Sequence, residues 1–156
     1  MDERIIGIIP NVSSGFFGQK SFNLIVTDKR LIVAIVTNKM LSEAIKQTRE
    51  ESKDTGDGVL KRMAKTASAG YTFHKKYFNM SPDKILAENT ENFYLNQTMI
   101  KKIKVILGTY IPEKGISNPN ELKIKATNGK YKFLFSNMST KEVKTLLSHP
   151  FGNLVK

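Results

Sequence analysis

The chain has no cysteine and no tryptophan, and only two histidines, His74 and His149, among its 156 residues. Without cysteine there is no disulfide framework and no thiolate metal site. Two isolated histidines, one on an expected helix and one just before Pro150, read as ordinary polar side chains rather than metal ligands. Long apolar runs are missing as well: none approaches the roughly 18 residues that a membrane-spanning helix requires. The opening stretch MDERIIGIIP is acidic and meets proline before a signal-like apolar segment forms. The chain is therefore expected to be cytoplasmic, with the sequons at Asn11, Asn96 and Asn137 as chance matches. No Walker loop, GxGxxG or nucleophile elbow occurs, and Gly15-Phe16-Phe17-Gly18 is none of these. Asp83, Glu88 and Glu91 read as a solvated helix face. The expectation is a protein that is not an enzyme and that uses no cofactor or metal.

Acid is scarce in one place. Residues 1–95 carry 14 basic and 11 acidic side chains, whereas residues 96–156 carry 11 lysines against Glu113, Glu121 and Glu142 alone, within a total net charge of +11. Such an excess draws a protein toward polyanions but says nothing about fold.

What is present is strand-rich. In FNLIVTDKRLIVAIV, residues 22–36, two β-branched runs flank a charged break. Fifteen extended residues exceed an ordinary strand, so the run folds back on itself at Asp28-Lys29. Asp suits that turn because its carboxylate accepts from nearby backbone N–H groups. The register pairs Thr27 with Arg30 and Ile25 with Ile32, and places Phe22, Leu24, Val26, Leu31, Val33 and Ile35 on one face. A second hairpin is expected around Asn128-Gly129, a type I′ signal requiring positive φ at both positions. That turn pairs residue 126 with 131, 124 with 133 and 122 with 135. Leu122, Ile124 and Ala126 then share a face with Tyr131, Phe133 and Phe135, while Lys125 stands opposite Lys132 and Lys123 opposite Leu134.

Other elements are coarser. ERIIGIIP reads as a first strand closed by Pro10, FYL at 93–95 as a short strand, and MIKKIKVIL as a strand with Ile103, Val105 and Leu107 inward and Lys102 and Lys104 outward. A helical segment fills about 38–80: Asn38 caps a helix with Met40, Leu41, Ala44, Ile45 and Thr48 on one side, ending near Gly56, and Asp57 caps another with Leu60, Met63, Ala64 and Ala67 inward. Phe73, Tyr77 and Met80 keep helical spacing. Ser81-Pro82 opens a short helix. Ser139 and Glu142 form a capping box for a terminal helix at about 140–148, with Val143, Leu146 and Leu147 as its stripe and Pro150 as its stop.

The order of these elements, with NLIVTDKRLIVA as the second and third strands and ILAENTENFYLNQTMIKKIKV as a later stretch, resembles the pleckstrin-homology-like superfold, particularly its GRAM-type and bacterial PH-like branches. The resemblance covers residues 3–37 and about 92–150. The segment from Lys76-Tyr77 to Asn89 is also similar to uncharacterised archaeal proteins that share KY-x-x-MSP-x-x-ILAEN. What the resemblance implies is a single α+β domain over 1–156: a seven-stranded, two-sheet, partly open barrel capped by a C-terminal helix, with a helical insertion after the third strand. Residues 38–80 depart from the family pattern, so the core is expected to survive their removal. PH-like domains are binding modules. The better-known ones grip phosphoinositide headgroups through a basic residue near the first loop and a basic-x-Arg pair on the second strand. Here Lys20 is the only basic residue in that region and the pair is missing, so specific headgroup recognition is not expected.

Lys102, Lys104, Lys123, Lys125, Lys130 and Lys132 are expected to emerge from one sheet face. Lysines there serve either as solvated surface and edge protection or as an anion-binding face for a membrane to which the protein attaches peripherally. Nucleic acid fits less well, because the register turns Tyr131 and Phe133 away from the lysines. Phe16 and Phe17, beside Lys20, either wedge into a membrane interface, fold back to cover the barrel end, or pack on the helical insertion. The apolar stripe of the insertion offers an alternative of another class, a protein partner or a second copy of the chain in a homo-oligomer.

Overall fold

The computed structural model describes residues 2–15, 20–54 and 73–156. Its main feature is a seven-stranded antiparallel sheet. Strands β1 (Ile5–Ser14), β2 (Lys20–Thr27) and β3 (Arg30–Val36) are followed by helix α1 (Asn38–Asp54), a 3₁₀ segment (Phe73–Asn79) and helix α2 (Pro82–Ala87). Then come β4 (Phe93–Asn96), β5 (Ile100–Ile106), the two-residue strands β6 (Tyr110–Ile111) and β7 (Ile116–Ser117), β8 (Asn120–Ala126), β9 (Gly129–Phe135) and helix α3 (Thr140–Phe151). The order across the sheet is β4-β3-β2-β1-β9-β8-β5, with β6 and β7 pairing separately. Among the described residues, the two halves are joined by one residue pair, Ser13 with Leu134.

The sheet curls. In a flat sheet, β4 and β9 would lie four strand spacings apart, about 19 Å. Yet Phe93 of β4 stacks on Tyr131 of β9 with ring centroids 5.3 Å apart, and Phe22 of β2 meets Phe133 of β9 edge-on at 5.9 Å. Both halves therefore face one core, which Val143, Leu147 and Phe151 of α3 close. The edge strands β4 and β5 do not pair with each other, so the sheet stays open.

A second core lies on the outer face of the first half. Ile8, Ile25, Ile32, Ala34 and Val36 pack there against Phe73, Tyr77 and Ile85, with Met40, Leu41 and Ala44 of α1 beside them. From Phe22 to Thr27 and from Leu31 to Val36 every residue is buried. These strands are apolar on both faces because both faces are covered. Strands β5 and β8 alternate buried and exposed; one face is bare.

The first hairpin has the expected register, Ile25 with Ile32 and Val26 with Leu31, and the six expected residues share the inner core. Its turn is organised by a different residue. The fully buried Thr27 hydroxyl oxygen accepts from the N–H of Lys29 and of Arg30, whereas Asp28 accepts from the Arg4 N–H. Pro10 does not close β1. It falls between Ile9 and Val12, where the register slips, so its missing N–H costs no ladder bond. The N–H of its neighbour Asn11, at φ +52°, is taken by the buried Asn23 side chain at 3.0 Å.

Helix starts and stops differ in similar ways. Thr37, not Asn38, caps α1, accepting from the Met40 N–H at 3.1 Å. Helix α3 carries the expected capping box but passes Pro150 to Phe151 and ends at Gly152, at φ +50°. The expected helix from Asp57 lies outside the described residues, as does Gly56. Phe73 and Tyr77 do face inward, on 3₁₀ rather than α-helical backbone.

Candidate functional site

The second hairpin sets the geometry of the bare face. Its register is two residues away from the expected one: Ala126 pairs with Gly129, Ile124 with Tyr131 and Leu122 with Phe133. The loop is Thr127-Asn128, and Asn128 does not take positive φ; Gly129, at φ +150°, is the first residue of the returning strand. A shift of two keeps every side chain on its face and changes only who stands opposite whom. Lys125 meets Lys130, not Lys132, and Lys123 meets Lys132, not Leu134. On the other side, Lys102 pairs with Lys125 and Lys104 with Lys123.

The six lysines thus form two rows of three across β5, β8 and β9. They border a shallow hollow of about 340 Å³ between their stems. One carboxylate stands at its end: Glu121 pairs with Lys132 at 3.1 Å and Lys123 at 3.4 Å. The Lys132 ammonium, with Lys123 behind it, holds the Glu121 carboxyl below the usual carboxylate range. Among the described residues, Lys102, Lys104, Lys125 and Lys130 have no acidic partner. Phe133 is buried, and Tyr131, which borders the hollow, has its ring stacked on Phe93.

Several cations elsewhere are engaged. Lys20 reaches Glu91 at 3.4 Å. Arg30 forms a fork with Glu3, both bonds 2.9 Å, and holds Asp83 at 2.9 Å. Partial burial alone would lower its pKa, but those two carboxylates outweigh it and hold it above the ordinary value. Lys76 pairs with Glu88 and lies 4.3 Å over the Phe73 ring. Asp83, Glu88 and Glu91 are therefore not one cluster, since each carries its own cation. No group of three or more candidate metal ligands occurs among the described residues. Phe16 and Phe17 lie outside them. In the described part of the insertion, Met40, Leu41, Ala44, Phe73 and Tyr77 pack on the sheet itself.

One feature escaped the reading of the sequence. Leu107 was expected inside; it lies beyond the end of β5 and is 72 % exposed, and Tyr110, 71 % exposed, and Ile111 follow on a short arm. Two glycines and two prolines within residues 107–119 were the available signal, since such punctuation marks loop rather than core. Among the described residues, no helix is long and apolar enough to cross a membrane. The chain matches no protein-family model, no curated protein and no solved structure.

Proposed function

We propose that this chain is a non-enzymatic, PH-like binding module that docks peripherally on anionic membrane surfaces through the six-lysine face. One observation carries the reading: in each of two rows, three exposed lysines stand directly opposite one another across β5, β8 and β9, on a face against which no described element packs. Like charges opposed across strands are destabilising. Edge protection accounts for Lys102 and Lys104 on the edge strand β5, and for Lys130 and Lys132 on β9, which among the described residues meets β1 only at Leu134; it does not account for Lys123 and Lys125 on β8, which is paired on both sides. Each lysine brought to an anionic bilayer gains about 1 kcal/mol, which several unpaired lysines on one plane turn into usable affinity. With Phe133 buried and the Tyr131 ring already stacked on Phe93, the rings of β9 are engaged elsewhere, which favours a lipid surface over nucleic acid. The family resemblance is supported by the open seven-stranded antiparallel sheet, the helices inserted after β3 and the C-terminal helix. The engagement of Lys20 with Glu91 agrees with charge-based attachment rather than recognition of one headgroup.

The test is co-sedimentation with vesicles of phosphatidylcholine alone and of phosphatidylcholine with phosphatidylserine. Binding should require the anionic lipid. It should fall steeply between about 0.1 M and 1 M salt, as the Debye length shrinks from about 10 Å to 3 Å. Replacing Lys102, Lys125 and Lys130 with Gln should abolish it. Equal binding to both vesicle types, or none to either at low salt, would sink the proposal.

A further inference from the structure

Resting on that reading, we infer that the arm formed by β6 and β7 lies in the interface of the same anionic bilayer, with Leu107, Tyr110 and Ile111 entering between the headgroups. Four of the six large apolar side chains that stand exposed among the described residues fall within Ile106–Ile111: Ile106, Leu107, Tyr110 and Ile111. Scattered apolar exposure is ordinary; exposure concentrated in one short stretch marks a contact surface.

The stretch is placed against the lysines. Ile106 emerges on the same face of β5 as Lys104 and Lys102, one row further along, in register with Glu121. A plane resting on the lysine rows therefore continues onto the start of the arm. The arm's two strands of two residues cannot build a core, and Leu107 and Tyr110 stand mostly exposed there. Its base is nonetheless held. The Gly108 N–H donates to Asn120 Oδ1 at 2.8 Å, the Asn118 N–H donates to the Thr109 carbonyl at 2.7 Å, and Asn118 Nδ2 donates to Thr109 Oγ1 at 2.9 Å. Gly108 is packed so closely that a Cβ there would lie 2.1 Å from the Asn118 carbonyl oxygen. An apolar arm held out from the body, beside a cationic plane, suits a surface that is anionic outside and apolar just beneath. Glu113 and Lys114 occupy the arm's tip, so the arm lies along the interface instead of piercing it end-on. Tyrosine is at home at that depth, with its ring in the apolar zone and its hydroxyl wet.

Because the chain lacks tryptophan, Leu107→Trp supplies a single reporter. With phosphatidylserine-containing vesicles its emission should shift to the blue and be quenched by lipids brominated near the headgroup; with phosphatidylcholine vesicles neither should occur. Separately, Leu107→Ser with Tyr110→Ser should weaken vesicle partitioning about tenfold, the equivalent of partly burying two large side chains, and the loss should persist when salt is varied. Far-UV circular dichroism confirms that the variants are folded. If the parent chain binds anionic vesicles while the Leu107→Trp emission stays fixed, the arm inference falls and the lysine reading stands. If the parent chain does not bind, both fall. A blue shift that grows with protein concentration in the absence of lipid would make the arm a self-association surface and overturn the inference.

Discussion

Lys125 stands on β8 between Lys102 on β5 and Lys130 on β9, so one substitution there removes two direct like-charge pairs. With the long side chains splayed so that the ammonium groups stand about 8 Å apart, each pair repels by about 0.5 kcal/mol in water. At about 0.01 M salt, where the Debye length is about 30 Å, nearly all of that repulsion acts; at about 1 M, with a length of about 3 Å, almost none remains. Lys125→Thr should therefore stabilise the chain by about 1 kcal/mol at low salt. Thr contributes a few tenths more through strand propensity, on the order of 0.3 kcal/mol, at any salt. For a chain of this size that is a rise in melting temperature of about 3 °C. Urea unfolding of parent and variant at the two salt concentrations separates the parts, because only the electrostatic part should vanish. Binding to phosphatidylserine vesicles should fall in the same variant. A gain in stability that ignores salt would show that the lysines splay freely and repel too little to matter; lost stability would mean that the register across β5, β8 and β9 is wrong.

Gly129→Ala should cost about 1 kcal/mol in urea unfolding, since the position holds φ +150° while the space around it is open and the penalty is backbone strain alone; Asn128→Ala should cost less. The depressed Glu121 carboxyl stabilises the fold above its unfolded pKa, about 4.3, and that contribution is lost as pH falls through the lower folded value. Glu121→Gln should accordingly flatten the acid limb of the unfolding midpoint against pH and, at neutral pH, tighten binding to anionic vesicles. Tyr77 is fully buried, and among the described residues no group reaches good hydrogen-bond geometry with its hydroxyl, although Glu88 and Asn23 lie close to it; burial, reinforced by the Glu88 charge, pushes its pKa well above the phenol range. Tyr77→Phe should thus leave stability unchanged or raise it by about 1 kcal/mol, and a clear loss in urea unfolding would reveal a partner for that hydroxyl. Replacing residues 39–80 by a Gly/Ser bridge should abolish cooperative thermal melting followed by circular dichroism, because it uncovers Ile25, Ile32 and Val36; this reverses the expectation drawn from the family pattern.

The first hairpin was legible because two strong patterns agreed: apolar parity assigned its inner face, and a two-residue loop admitted one register. Even there, the hydroxyl of Thr27 did what composition credits to Asp28, since a side chain's partner depends on what the N-terminus brings alongside. The second hairpin shows the limit more clearly. Asn-Gly marks a turn, but parity cannot distinguish registers two residues apart, so the lysine face was correct while its opposed pairs were not. Proline misled twice. Pro10 sits where the ladder slips and Pro150 in a last turn, places where a missing N–H matters little and which only the three-dimensional partners reveal.

The deepest signal lay in a contrast that parity at single strands passes over. LIVAIV has no polar residue, whereas LKIKA and KKIKV alternate. An unbroken apolar strand needs cover on both faces, so LIVAIV already required something to lie on the outside of β3. That something is the inserted segment, which contributes Phe73 and Tyr77, together with Ile85 of the helix that follows it. An alternating strand needs cover on one face only, so β5, β8 and β9 were free to present charge. The insertion and the lysine rows thus divide one sheet between them. Where the chain folds back to cover the outer face, the strand sequences are spent on stability. Where it does not, the outward positions carry lysine after lysine at a cost in repulsion, and the apolar arm begins at the end of that same bare strand.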